Sequence, residues 1–155
     1  MGSEAVIGKL PLEQCEPTDW FVVFHPESHR PWLNWLACGR FKHVSAFGWV
    51  ERAQTWLFFD FNLDRSRIYA VANHEANAMI EKFTVGRTVV RMAKPLGCEF
   101  NRNIAAGAWC VPAVAHLLGI RGCALRPDTL FRKCIAQGGE IIGAEGASYE
   151  AEDQG

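Results

Sequence analysis

The chain has 155 residues, 49% of them hydrophobic and 21% charged, and its 16 basic and 17 acidic residues leave a net charge of −1 at pH 7. This composition is typical of one globular domain with a sizeable core. The balanced charge argues against a nucleic-acid partner, and no stretch approaches the roughly 18 apolar residues of a membrane span. The six tryptophans and ten phenylalanines indicate an aromatic core or a surface that binds other proteins.

The N-terminal residues and the cysteines indicate a reducing compartment. Residues 1–9 lack the basic region, long apolar run and cleavage site of a secretory signal, so we expect synthesis in a cytoplasm. The six cysteines are irregularly spaced and include no Cys-x-x-Cys pair; they stand at positions 15, 38, 98, 110, 123 and 134. This spacing argues against a disulfide scaffold and a tetrahedral zinc site, and we predict neither a metal nor another cofactor.

The hydrophobic pattern predicts an α+β fold with a largely antiparallel sheet. Runs rich in β-branched and aromatic residues predict strands at 20–24, 43–50, 55–63, 67–72 and 86–92. Proline and glycine residues near their ends predict helices at 31–38, from residue 110 to just before Gly119, and at 127–136. A further short helix is expected at 74–83. We interpret 1–19 as an N-terminal arm, 20–142 as the domain, 93–108 as a loop within it, and 143–155 as an acidic tail that is mobile unless a partner holds it.

A predicted hairpin brings a histidine close to a carboxylate. We expect Val50 to face Thr55 across a four-residue turn. In that register His43 lies opposite Asn62 and diagonal to Asp60. The side-chain period of two places one polar and aromatic set on a single sheet face: His43, Ser45, Phe47, Trp49, Trp56, Phe58, Asp60 and Asn62. A bulge in the hairpin would turn one strand over and undo the arrangement.

A thiol stands at the start of the helix that follows the loop. Cys110 shares an apolar stripe with residues 111, 114, 117 and 118, so we expect the helix to pack across the sheet face that carries His43. Pro112 fits the first helical turn. The N–H groups and the positive dipole end at such a position lower the pKa of a thiol and favour the thiolate. A buried free cysteine is otherwise a common core residue, and this alternative remains open for Cys110 taken alone.

A cysteine nucleophile needs a base within hydrogen-bond reach and a third group that orients the base. His116 lies about 9 Å along the helix from Cys110 and roughly 120° around it, too far to serve. His25 and His29 lie in a proline-bounded loop, where a solvated or capping role is expected. His74 begins a predicted helix and has no orienting group in register. His43, the fifth histidine, lies on the hairpin face and is therefore the candidate base.

Four short segments resemble the circularly permuted papain-like proteins. They are Phe-Lys-His-Val at 41–44, Trp-Leu-Phe-Phe-Asp at 56–60, Cys-Val-Pro-Ala-Val-Ala-His-Leu-Leu-Gly-Ile at 110–120, and Pro-Asp-Thr-Leu-Phe-Arg at 127–132. These proteins are relatives of the NlpC-type cell-wall peptidases in which the histidine strand precedes the cysteine helix. The resemblance is closest to small versions found in bacteriophage genomes, and it covers the chain from about residue 32 to 134.

The resemblance implies a thiol hydrolase or acyltransferase that acts on a peptide, amide or ester, with peptidoglycan among the candidate substrates. Matched position by position, Cys110 is the nucleophile, His43 the base and Asp60 the orienting group. The simple hairpin register favours Asn62 instead. We prefer Asp60 because a carboxylate also stabilises the imidazolium that forms. The backbone N–H of Cys110 is the expected oxyanion donor.

A second class of function has its own support in the sequence. A papain-like fold kept for its surface would serve as a non-catalytic structural or assembly component of a phage virion, associated with tail or capsid. The aromatic content, the near-neutral charge and the extended ends suit packing against other virion proteins. An enzyme can also be carried in a virion, where it would open the cell wall during infection. The expected location is therefore the host cytoplasm at synthesis, and association with the virion is an alternative open to either function.

Overall fold

Six antiparallel strands form one sheet in the order β4-β3-β2-β1-β5-β6. The computed structural model describes residues 12–28, 39–62, 65–93, 109–120 and 122–143. The strands are β1 (Asp19–His25), β2 (His43–Val50), β3 (Thr55–Phe61), β4 (Ser66–Ala72), β5 (Thr88–Ala93) and β6 (Glu140–Gly143). The α-helices are α1 (Ala76–Thr84), α2 (Cys110–Leu117) and α3 (Pro127–Ala136), and short 3-10 helices occupy Leu12–Cys15 and Asn73–Glu75. The α+β class and the antiparallel sheet are as predicted.

Strand β1 is near the middle of the sheet, between β2 and β5. Its Val22, Val23 and Phe24 are fully buried, although successive residues point to opposite faces. A strand covered on both faces needs a continuous apolar run rather than an alternating one. The sequence Trp-Phe-Val-Val-Phe supplies that run, so this segment takes a central position.

The two faces of the sheet carry different helices. Helices α2 and α3 pack on the face of Val44 and Ala46, in a cluster that includes Val111, Val114 and Leu130. The opposite face is covered by the helix α1, through a cluster of Val23, Phe47, Phe58, Phe83 and Val89, with Met79 and Ile80 packed against it. The expectation that the cysteine helix lies across the face bearing His43 and Ser45 is therefore wrong for the body of that helix. No helix in the described ranges is long and apolar enough to cross a bilayer.

The β2–β3 hairpin has the predicted register. Val50 pairs with Thr55 and Ser45 with Asp60, without a shift between them. The turn that joins the strands contains Gln54 in a left-handed conformation, with φ of 47°. Since paired residues share a face, the Asp60 side chain lies on the side of Ser45.

Several element ends differ from the sequence-based expectation. Strand β1 begins one residue earlier and extends to His25, while β3 ends at Phe61. Strand β5 begins at Thr88 rather than at residue 86, and the helix expected at 74–83 is a 3-10 turn followed by α1. Strand β6 was not predicted, because its four residues become a strand only through pairing with β5. The helix expected at 31–38 and most of the loop expected at 93–108 lie outside the described residues, as do 1–11 and 144–155.

The described end of the N-terminal segment packs on the β2–β3 hairpin. The N–H of Thr18 donates to the carbonyl of Trp49 at 3.4 Å. The buried Pro17 lies against Gly48, where an added Cβ would come within 2.7 Å of the proline ring. The contacts tie this segment to the outer end of the hairpin, away from the strand ends that carry His43 and Asp60.

The chain just before β2 is fastened to helix α3. The Asp128 carboxylate, in the first turn of α3, accepts hydrogen bonds from the backbone N–H of Arg40 at 3.0 Å and of Phe41 at 3.4 Å. Gly39 has a φ of 115°, and a Cβ there would collide with the same carboxylate. These contacts fix the backbone two residues ahead of His43.

Candidate active site

His43 and Asp60 form a buried pair at the ends of two neighbouring strands. The His43 Nε2 lies 2.8 Å from Asp60 Oδ1. Only 6% of His43 and 9% of Asp60 is exposed. His43 is the first residue of β2, and the hairpin register places Asp60 diagonally across from it on β3. Of the two residues proposed to orient the imidazole, Asp60 makes the hydrogen bond.

Asn62 supports the carboxylate rather than the imidazole. Its Nδ2 donates to Asp60 Oδ2 at 3.0 Å. The two oxygens of Asp60 are therefore engaged by different partners, His43 on one side and Asn62 on the other. This fixes the plane of the carboxylate that the imidazole meets.

The electrostatics of the pair favour an imidazolium and a carboxylate. Burial by itself lowers the pKa of His43, but hydrogen bonds with Asp60 and Cys110 and the charges of both groups outweigh it and raise the pKa from 6.5 to about 9. Burial raises the pKa of Asp60. The hydrogen bonds with His43 and Asn62 and the charge of His43 oppose this effect and leave the pKa below its ordinary value. At neutral pH the pair is therefore charged.

Cys110 reaches this pair from the start of α2. It is the first residue of the helix, is half-buried, and its side chain hydrogen-bonds with His43. The preceding Trp109 is extended, with φ of −134° and ψ of 171°. The helix ends before Gly119, which has a φ of 64°, so it has the predicted length and glycine stop. Because the body of α2 packs on the opposite sheet face, the contact is made where β2 and α2 both begin.

His25 is the residue of this site that the sequence interpretation missed. The sequence predicts a loop at His25, but it is the last residue of β1, pairs with His43 and is 8% exposed. Its Nε2 lies 2.7 Å from the hydroxyl of Ser45, and its ring centroid lies 5.0 Å from that of His43. The alternation of Phe21, Val23 and His25 was the available signal, since these residues share one face of an extended strand.

The other candidate histidines lie away from Cys110 or outside the described residues. His116 is exposed on α2, and His74 is exposed with its Nε2 3.8 Å from Glu75. His29 is not among the described residues.

The described cysteines differ in their surroundings. Cys134 is fully buried, and burial raises the pKa of its thiol to about 12, whereas Cys123 is exposed. The helix that carries Cys134 packs in the core cluster. Within the described ranges no three His, Cys, Asp or Glu side chains are grouped so that they could hold a metal ion.

The site thus combines a half-exposed thiol, a buried imidazole and a buried carboxylate in one hydrogen-bonded series. A thiol in contact with a base that a carboxylate orients has the composition needed for nucleophilic attack on a carbonyl. Comparison with protein-family models, with curated proteins and with solved structures gives no match for this chain.

Proposed function

We propose that the protein is a cysteine-nucleophile hydrolase or acyltransferase in which Cys110, His43 and Asp60 act as a triad. The observation that carries the proposal is the series of contacts from the Cys110 thiol to the His43 imidazole and on to the Asp60 carboxylate. The nucleophile is half-exposed, whereas its two partners are buried. This combination suits a nucleophile that meets a substrate and a base that is protected from solvent.

The reaction follows from the contacts of the His43 imidazole with its two partners. His43 Nε2 is occupied by Asp60, which leaves Nδ1 to exchange a proton with Cys110. The thiolate attacks a carbonyl carbon, forming a carbon–sulfur bond, and the imidazolium protonates the leaving amine or alcohol as the carbon–nitrogen or carbon–oxygen bond breaks. Water, deprotonated by His43, or another acceptor then releases the acyl group from the thioester.

The start of α2 supports charge stabilisation during the attack. The first N–H groups of a helix have no acceptor within the helix, so the Cys110 N–H is the natural donor to the oxyanion. Pro112 has no N–H, so Cys110 and Val111 provide the donors nearest the sulfur in this turn.

We further propose that the arrangement is papain-like and circularly permuted, of the NlpC-related bacteriophage type. The support is the chain order, with the histidine on β2 and the carboxylate on β3 both preceding the cysteine helix. Peptidoglycan peptides are the substrate class that this relationship favours, and the place of action is the host cytoplasm or the virion. The competing role is a structural virion protein that keeps the fold without catalysis.

Hydrolysis assays with a covalent readout separate the two roles. The wild-type protein is incubated with peptidoglycan fragments and with acyl esters, and intact-mass and peptide mass spectrometry locate any acyl group on the chain. We expect turnover and an acylated Cys110, and expect neither in Cys110→Ala. The matched control Cys123→Ala removes an exposed thiol and should behave as wild type. Equal turnover in Cys110→Ala would refute the proposal, and absence of acylation in the wild type would favour the structural role.

A further inference from the structure

His25 and Ser45 form a second buried polar pair beside His43. The His25 Nε2 and Ser45 Oγ are 2.7 Å apart. In the sheet register His25 is opposite His43, and Ser45 is opposite Asp60. The four side chains therefore form one block that spans β1, β2 and β3 on a single sheet face.

The Ser45 hydroxyl of this second pair is buried too deeply to act as a nucleophile. Ser45 is 1% exposed, so its hydroxyl has no access to a substrate carbonyl. His25 is 8% exposed and its Nε2 is engaged by that hydroxyl. The pair is thus placed to act on its neighbours rather than on a substrate.

The rings of His25 and His43 are in contact, and this contact restricts how the His43 ring can turn. The ring centroids are 5.0 Å apart with an angle of 55° between the planes. Hydrogen bonds with Asp60 and Cys110 hold the His43 imidazole, but the terminal torsion of a histidine is broad, so the ring can still tilt between these partners. A second ring packed beside it closes part of that range, and the hydrogen bond to Ser45 keeps the second ring in place.

We propose that His25, anchored by Ser45, is a positioning residue that holds the His43 imidazole between Asp60 and Cys110. The inference rests on the proposed triad and identifies a layer of support behind it. Loss of this support would let His43 turn away from Asp60, which would weaken both the charged pair and the activation of the thiol.

Several charged or titratable groups influence the pKa values of these four side chains and therefore affect any measurement made on them. Asp60 on β3 and Cys110 on α2 both raise the pKa of His43. His25 acts on Asp60 through its charge when protonated. Arg87, just before β5, interacts electrostatically with Asp60. The test therefore compares variants that leave all groups other than His25 and Ser45 in place.

The experiment measures two properties in folded protein: the pKa of His43 by NMR titration, and the rate of Cys110 alkylation by iodoacetamide at neutral pH, resolved by peptide mass spectrometry. In His25→Ala we expect the pKa of His43 to fall from about 9 toward 6.5 and the alkylation rate to fall about tenfold to a hundredfold, the loss typical of a misplaced reacting group. Ser45→Ala should change both in the same direction by less. His25→Phe, which keeps a ring against His43, should recover most of the rate.

Val89→Ala is the matched control, because Val89 is a buried apolar residue on the same sheet face. If His25→Ala loses stability as Val89→Ala does but keeps the wild-type pKa of His43 and the wild-type alkylation rate, His25 is a core residue only and the inference is wrong. If wild-type Cys110 reacts no faster than a free cysteine, the proposed function fails, and the comparison of His43 pKa values between wild type and His25→Ala still decides the role of His25.

Discussion

The His43 imidazole and the Asp60 carboxylate meet at 2.8 Å in a buried site, with the Cys110 thiol hydrogen-bonded to the same imidazole. The three residues come from two strands of one hairpin and from a helix that begins 50 residues after Asp60 in the sequence. Their meeting requires the hairpin register, the packing of α2 and the anchoring of the chain before β2 to be correct together.

The charged pair makes stability depend on pH in a defined window. The pKa of His43 is raised from 6.5 to about 9, so its contribution is fully present below pH 6.5 and is lost as the pH rises through about 9. The pKa of Asp60 is lowered from 3.8, so its contribution is present above pH 3.8 and is lost as the pH falls through the folded-state value. We expect a change on the order of 3 kcal/mol in the free energy of unfolding on the alkaline side. Urea unfolding across this range, with Asp60→Asn as the comparison, measures it; an identical pH dependence in both proteins would contradict the pairing.

Asp60 and Asn62 should differ in the size of their effects. Asp60→Asn removes the negative charge, so the pKa of His43 should fall toward 6.5 and turnover should fall by about 10²-fold or more. Asn62→Ala removes one hydrogen bond to Asp60 and keeps the charge, so the same two quantities should change by much less. NMR titration and hydrolysis rates measure both variants, and a larger loss in Asn62→Ala would assign the orienting role to Asn62.

Replacement by alanine should have opposite effects on turnover and stability at Cys110 on α2 and at Cys134 on α3. Cys110→Ala should abolish turnover and leave the free energy of unfolding within about 1 kcal/mol of wild type, because the side chain is only half-buried. Cys134→Ala should destabilise the fold by about 1–2 kcal/mol through a cavity and leave turnover intact. Hydrolysis rates and denaturation curves of both variants test this contrast. A loss of turnover in Cys134→Ala would contradict it.

A separate prediction concerns the stability that Asp128 provides by anchoring the chain before β2. Asp128→Ala leaves the backbone N–H groups of Arg40 and Phe41 without the carboxylate, which should cost about 1 kcal/mol of stability because these hydrogen bonds are exposed or only partly buried. Asp19→Ala, which breaks a more exposed ion pair with Arg91, should stay close to wild type. Thermal or urea unfolding compares them, and equal stabilities of the two variants would contradict the anchoring role.

The hairpin could be predicted from sequence because its rules are local. A four-residue turn and the side-chain period of two were enough to place Asp60 diagonally across from His43. The helix at Cys110 and its stop at Gly119 were likewise encoded by nearby proline, glycine and apolar spacing. Such features need no knowledge of the strand order.

The missed features depend on contacts between distant segments. The sequence predicts a loop at His25 because Pro26 follows it, whereas pairing with β2 keeps β1 extended through that residue. Helix α2 packs on the sheet face opposite to the one that α1 covers, through contacts with residues far away in the sequence. Strand β6 exists through its pairing with β5. Local patterns carry little information about any of these contacts.

The most direct test of the triad is the rate of Cys110 alkylation by iodoacetamide at neutral pH, followed by peptide mass spectrometry so that the other cysteines serve as internal references. The proposed triad predicts a rate far above that of free cysteine, and a loss of this excess in His43→Ala. A Cys110 that reacts at the rate of free cysteine, or equally fast with and without His43, would contradict it.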